Sequence, residues 1–239
     1  DKETDTEYVW QGDPKYWVNR APNLFPYVGR LTEGRYRLYG KEYEMVIHGF
    51  SRNSLFQVVQ SSQDMVTFRL QDSQETLVQY PYHFVFDVTY QLEGNRIAIT
   101  YRVENCNDNV MYFGIGAHPG FMVPLEEGLA FEDYYLEFTE EKQPKRVGFS
   151  EDCFVQGEPE AFPLENGRIL PLHHDMFDQD AIVLMDMDRE VTLKSDRGTK
   201  AVKVSYPDMG YLGIWHMPHT DAPYVCIEPW VSLPSRKGI

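Results

Sequence analysis

The sequence predicts an all-β protein, a large antiparallel two-sheet β-sandwich formed by a single domain. Three observations carry this expectation. Apolar and polar residues alternate at period two over many short stretches. Glycine and proline punctuate the chain often, and no window of a dozen residues holds a 3.6-residue apolar stripe. Composition does not break anywhere along the 239 residues and no internal repeat occurs, so one domain over 1–239 accounts for the chain.

Taken in order, the first clear strand is Met65–Leu70, where Val66, Phe68 and Leu70 alternate with polar neighbours as in a half-buried antiparallel strand. A hairpin follows. Phe84, Phe86, Val88, Tyr90 and Leu92 run into the turn Glu93-Gly94-Asn95 and return through Ile97, Ile99, Tyr101 and Val103. The stretch from Glu151 to Asp178 carries Pro159, Pro163 and Pro171 and reads as long loops over one face. A second hairpin pairs Val191 and Leu193 with Val202, Val204 and Tyr206 across Asp196-Arg197-Gly198.

Composition narrows the class of partner. Twenty-two basic residues against 37 acidic ones give a net charge of −15, which repels polyanions, so neither nucleic acid nor an anionic membrane surface is expected as a partner. No apolar run approaches the roughly 18 residues of a membrane span, and the charged start Asp1-Lys2-Glu3-Thr4-Asp5 is unlike a signal peptide. Cys106, Cys153 and Cys226 are far apart with no CxxC pair, which fits a reducing cytoplasm better than a disulfide framework or a thiolate zinc site. His173-His174-Asp175 suggests a metal only superficially. Read as a strand, adjacent side chains point to opposite faces and chelate one ion poorly, so no metal is expected.

Two segments place ionisable groups in stiff, apolar settings. In Phe113-Gly114-Ile115-Gly116-Ala117-His118-Pro119, a strand would put His118 on the same face as Gly116 and Gly114. Glycines beside it suggest either that a ligand approaches the backbone there, or that a core histidine hydrogen-bonds a neighbouring carbonyl beside a bulge that needs glycine. In Tyr224-Val225-Cys226-Ile227-Glu228-Pro229-Trp230, Val225 and Ile227 share one face and Cys226 and Glu228 the other. A carboxylate in so apolar a run loses hydration, which raises its proton affinity toward what a general base at neutral pH needs, unless an arginine pairs with it. Arg30, after Val28-Gly29, and His48, before Gly49-Phe50, suit a cleft loop or an exposed turn equally. Asp180 sits where a polar loop meets the apolar run Ala181-Ile182-Val183-Leu184.

The ordered set of segments resembles the galactose mutarotase (aldose 1-epimerase) superfamily, and most closely its LacX-like branch. The matching stretches are Glu7–Pro14, Ala21–Arg30, His48-Gly49-Phe50-Ser51-Arg52, Tyr80–Phe84, Gly116-Ala117-His118-Pro119-Gly120-Phe121, Asp180-Ala181-Ile182 and Cys226-Ile227-Glu228-Pro229-Trp230. They span nearly the whole chain. The resemblance implies a β-supersandwich and interconversion of the α and β anomers of a hexose without metal or organic cofactor. It implies Glu228 as the base on the anomeric hydroxyl and His118 as the acid on the ring oxygen. His48, Arg30 and Asp180 would orient the sugar. The two catalytic groups are expected to face each other across a gap the size of a pyranose ring.

The same resemblance implies further strands before Glu7 and after Arg236-Lys237-Gly238, so the chain is expected to be part of a longer protein. Gly120-Phe121-Met122 departs from the aromatic and asparagine that follow the active-site His-Pro in galactose enzymes, which leaves the sugar open. Three other readings stand beside the epimerase. One is a hexose-6-phosphate mutarotase, with Arg30 and Arg52 clamping a phosphate. Another is a non-catalytic sugar-binding or sensor protein, against which the paired His118 and Glu228 matches speak. A polysaccharide lyase or glycosidase accessory domain is disfavoured by the small size of the chain. The sequence assigns no oligomeric state.

Overall fold

Tyr224–Trp230 is the spine of the molecule, with all seven residues buried in a sheet of eight strands. The computed structural model describes residues 1–238. The spine is flanked by Tyr211–Trp215 on one side and by Gly116–Ala117 and Gly120–Met122 on the other. Beyond Tyr211–Trp215 lie Ile182–Met185, Lys145–Arg146 and Glu160–Ala161. Two four-stranded sheets and one two-stranded ribbon complete the architecture, and every strand pair is antiparallel.

Two main cores hold the sheets. In one, Leu136, Phe138, Val191 and Leu193 meet Ile182, Leu184, Leu212, Ile214, Val225 and Ile227 of the eight-stranded sheet. In the other, Leu70, Phe84, Phe86 and Val88 close over Phe25, Phe50, Tyr80, Tyr82 and Ile115. Each such side chain, fully buried, contributes about 1.5–3 kcal/mol of transfer free energy. The all-β expectation therefore holds, although hydrogen bonding divides the strands among four sheets rather than two.

Both expected hairpins form. Phe84–Glu93 pairs with Arg96–Asn105 from Phe84↔Asn105 to Glu93↔Arg96, so Glu93 belongs to the strand and Gly94-Asn95 makes the turn. Val191 pairs with Val204 and Leu193 with Val202, across a longer loop than Asp196-Arg197-Gly198 alone. The stretch 151–178 is mostly loop but contributes short strands at Glu160–Ala161 and Ile169–Pro171. His174–Phe177 is a 3-10 turn rather than strand, and His174 Nδ1 lies 3.0 Å from His216 Nε2. The periodicity argument missed one helix, Gln74–Gln79. Its only local signal is a cap: the Ser73 hydroxyl accepts from the Thr76 N–H while the Thr76 hydroxyl accepts from the Ser73 N–H. Among the described residues, no helix is long and apolar enough to cross a membrane.

Candidate active site

Glu228 reaches its place because its strand cannot face water on either side. Val225 and Ile227 pack into the first core, which sends Cys226 and Glu228 to the opposite face. Gly213 lies directly opposite Glu228 in the adjacent strand, where an added Cβ would come within 3.2 Å of Glu228 Cβ and 2.9 Å of Trp230 Cζ2. Only 1% of Glu228 is exposed.

His118 arrives from the other flank. Gly116–Ala117 and Gly120–Met122 both pair with the spine, and His118-Pro119 interrupts them. Pro119 O accepts from the Ile227 N–H at 3.1 Å, and the His118 N–H donates to Pro22 O at 3.2 Å, so the interruption is pinned on both sides. His118 Nε2 consequently lies 3.3 Å from Glu228 Oε2. The indole of Trp17 stacks on the imidazole, with ring centres 4.8 Å apart and planes at 25°. Trp215 and His48 present their rings nearly perpendicular to it, each with centres 5.6 Å away.

The glycines before His118 serve a purpose other than admitting a ligand. A Cβ on Gly116 would lie 2.6 Å from Trp230 Cδ1, and one on Gly114 would lie 2.3 Å from Ser232 Oγ. They make room for side chains that follow Glu228 in the chain. The idea of a pyranose-sized gap also needs correction. At 3.3 Å no ring fits between imidazole and carboxylate. A sugar's anomeric hydroxyl and ring oxygen are bonded to the same carbon, so an acid and a base serving both must stand side by side.

His48 occupies a strained but well-held turn, with φ +65°. Its N–H donates to Gly29 O at 2.9 Å, and its Nδ1 accepts from the Gly29 N–H at 3.1 Å. With Nδ1 accepting, the proton of the neutral ring sits on Nε2. Gly49 follows at φ +71°, where a Cβ would fall 2.3 Å from Phe25 O, so no other residue fits beneath this turn. Asp180, at φ +70°, starts the strand carrying Ile182 and accepts from the Cys153 thiol at 2.8 Å and the Ala181 N–H at 2.9 Å. Arg30 and Arg52 are exposed, and among the described residues neither guanidinium makes an ion pair. Arg30 lines a cleft of about 350 Å³ with Leu31, Glu33, Gly34, Met45, Ile47 and Phe154.

Electrostatics favour uncharged groups at the centre. Burial pushes the Glu228 carboxyl well above the usual carboxylate range, and the Asp180 carboxylate pushes it the same way. Burial pulls His118 well below the usual imidazole range, with His48 and Arg52 adding to the effect. Burial therefore favours the uncharged form of each group of the touching pair, a protonated carboxyl beside a neutral imidazole. His48 is pulled down to about 4 by burial and then by Arg52 and Arg30, with Asp180 opposing.

All six sequence-derived residues are thus located. His118 and Glu228 are in contact and His48 is beside them, while Arg52, Arg30 and Asp180 surround His48 closely enough to act on its charge. Sequence reasoning passed over Trp17, Trp215 and Cys153. Trp17 follows Pro14-Lys15-Tyr16 in a polar stretch with no periodic pattern to mark it.

The aldose 1-epimerase family profile matches residues 1–235. The chain is 35% identical over 237 residues to the chromosomal protein LacX of Lactococcus lactis subsp. lactis, covering 95% of this chain and 78% of that protein. A galactose mutarotase related enzyme from Lactobacillus acidophilus superposes with a TM-score of 0.94 at 34% identity, over 99% of this chain and 79% of that one. A galactose mutarotase-like protein from Lactobacillus casei gives 0.93 at 34% identity, over 100% and 82%. With a family match over nearly its full length and a relative 35% identical over 95% of it, this chain belongs to the aldose 1-epimerase family.

Proposed function

We propose that the protein is an aldose 1-epimerase that interconverts the α and β anomers of a hexose by proton transfer alone. The observation that carries this reading is the buried contact of His118 Nε2 with Glu228 Oε2 at 3.3 Å. In the reactive form of the pair the carboxyl proton has moved to His118. Glu228 then takes the proton of the anomeric hydroxyl, the C1–O bond to the ring oxygen breaks as the C1 carbonyl forms, and His118 protonates that ring oxygen. Rotation about C1–C2 presents the other face of the aldehyde, and the steps reverse. Each transfer contributes typically about 10²–10⁴ in rate. A pair holding one proton returns to its starting state after every cycle, as a reversible isomerisation requires. His48, donating from Nε2, steadies the ring oxygen, while Arg30, Arg52 and Asp180 hold the remaining hydroxyls.

The test is the optical rotation of freshly dissolved α-glucose and α-galactose, with and without protein. Rates equal to buffer for both sugars would remove this reading for them. A second reading, a hexose-6-phosphate mutarotase, is favoured by the two guanidiniums without ion pairs beside His48. Glucose 6-phosphate run in parallel separates the two, since a phosphate clamp would raise kcat/KM for the phosphorylated sugar over glucose.

A further inference from the structure

We propose that His118, Cys226 and Glu228 together bind one thiophilic divalent cation of the zinc type, and that this ion excludes the sugar. The binding stands on geometry alone, whereas the exclusion rests on the epimerase reading. Cys226 and Glu228 are two residues apart on one strand and project from the same face, and His118 is brought over them from the neighbouring strand break. One nitrogen, one sulfur and one oxygen donor all lie within 4.8 Å of one another. The His118–Glu228 separation of 3.3 Å already matches donors around a tetrahedral zinc. Bonds of about 2.0–2.2 Å at the tetrahedral angle place nitrogen and oxygen roughly 3.3 Å apart.

The donors are also uncommitted. Glu228 Oε2 is buried without a hydrogen-bond partner among the described residues, and so is Nδ1, the ring nitrogen of His118 other than the one beside Glu228. The Cys226 thiol is fully buried and likewise makes no hydrogen bond there. Elsewhere such groups are taken: Cys153 donates to Asp180, and His174 and His216 face each other through ring nitrogens. A set of thiolate, imidazole and carboxylate selects zinc-like ions over magnesium or calcium. Three protein donors leave a fourth position open. His118 keeps 8% of its surface exposed, so an ion reaches the triad from the imidazole side.

The ion competes for the same electron pairs that accept and release protons in the sugar reaction, hence the mutual exclusion. The unpartnered His118 nitrogen lacks the outer hydrogen bond that usually orients a ligating imidazole, which weakens the site by about 10–100-fold relative to a buttressed one.

Chelator-treated, tag-free protein titrated with cobalt(II) should take up one ion per chain and develop a thiolate-to-cobalt charge-transfer band. Calorimetry with zinc chloride should show Cys226→Ser and Glu228→Gln each weakening binding at least tenfold while Cys153→Ser does not. Near-ultraviolet circular dichroism of each variant separates loss of the site from loss of the fold. The absence of a thiolate band in the wild-type protein, or zinc affinity unchanged in folded Cys226→Ser, would overturn the site. These readouts need no turnover, so they stand even if no sugar is epimerised. Anomer exchange undiminished at saturating zinc would overturn the exclusion and leave the site.

Discussion

Trp17 lies face to face with His118, ring centres 4.8 Å apart, while Glu228 touches the same imidazole through its carboxyl oxygen at 3.3 Å. The histidine thus meets an aromatic face and an acid at once. The negative face of the indole favours the imidazolium by about 0.5–2 kcal/mol, which opposes the burial that favours the neutral ring.

Replacing Trp17 by Leu should lower the proton affinity of His118. The acid is then lost at lower pH, so the alkaline limb of the kcat/KM profile should move to lower pH by roughly 0.4–1.5 pH units, the conversion of that interaction energy. Trp17→Phe should restore part of the shift. A profile that keeps its limbs while only its height changes would make Trp17 a packing residue.

Glu228→Gln preserves shape while removing the group proposed as the base. Catalysed anomer exchange should fall by about 10²–10⁴, with the melting temperature little changed because the substitution takes no ionised carboxylate out of the core. Polarimetry and thermal melting of the same preparation check both statements. Equal rates for mutant and wild type would displace Glu228 from its role.

Backbone conformation makes position 48 selective in a second way. At φ +65°, His48→Asn should fold normally yet turn over sugar more slowly, whereas His48→Val should also destabilise the protein by about 1–2 kcal/mol. Urea unfolding of the pair distinguishes loss of the imidazole from loss of the turn.

Acid should weaken the fold well before the carboxylates titrate. His216, fully buried, is pulled down from 6.5 to about 4, chiefly by burial, and His48 likewise. Between those values the unfolded chain binds more protons than the native one, so their contribution is complete above pH 6.5 and is lost as pH falls toward 4. For His216 the full effect is roughly 3 kcal/mol. Urea titrations from pH 7.5 to about 4 should show the decline, and His216→Phe should flatten it; an unaltered slope would assign the loss to other groups.

Gly116→Ala tests the close approach beside the site. A Cβ there would sit 2.6 Å from Trp230 Cδ1 and 3.3 Å from Leu24 Cδ1, both well packed. Stability should drop by about 1–3 kcal/mol, and displacement of Trp230 should slow exchange in parallel. Wild-type stability would mean that the spine yields more easily than its burial suggests.

What the sequence revealed depended on range. Strands such as Met65–Gln71 and the hairpin from Phe84 to Asn105 were legible because period-two alternation is a local property. The division of faces along Tyr224–Trp230 was legible for the same reason, and with it the desolvated state of Glu228. The glycines before His118 announced a close approach to the backbone but not what makes it, since Trp230 and Ser232 are more than a hundred residues away in the chain. Trp17 escaped notice because nothing beside it records which ring it will cover. The helix at Gln74–Gln79 was hidden by its shortness, being carried by a cap rather than an apolar stripe.

One strand presents its chemistry on one side and its packing on the other. Val225 and Ile227 anchor the interior, and the carboxyl one residue further along inherits its position from how they seat. Repacking either aliphatic for heat resistance would therefore retune turnover too, and a screen for faster variants has reason to include residues that never meet the sugar.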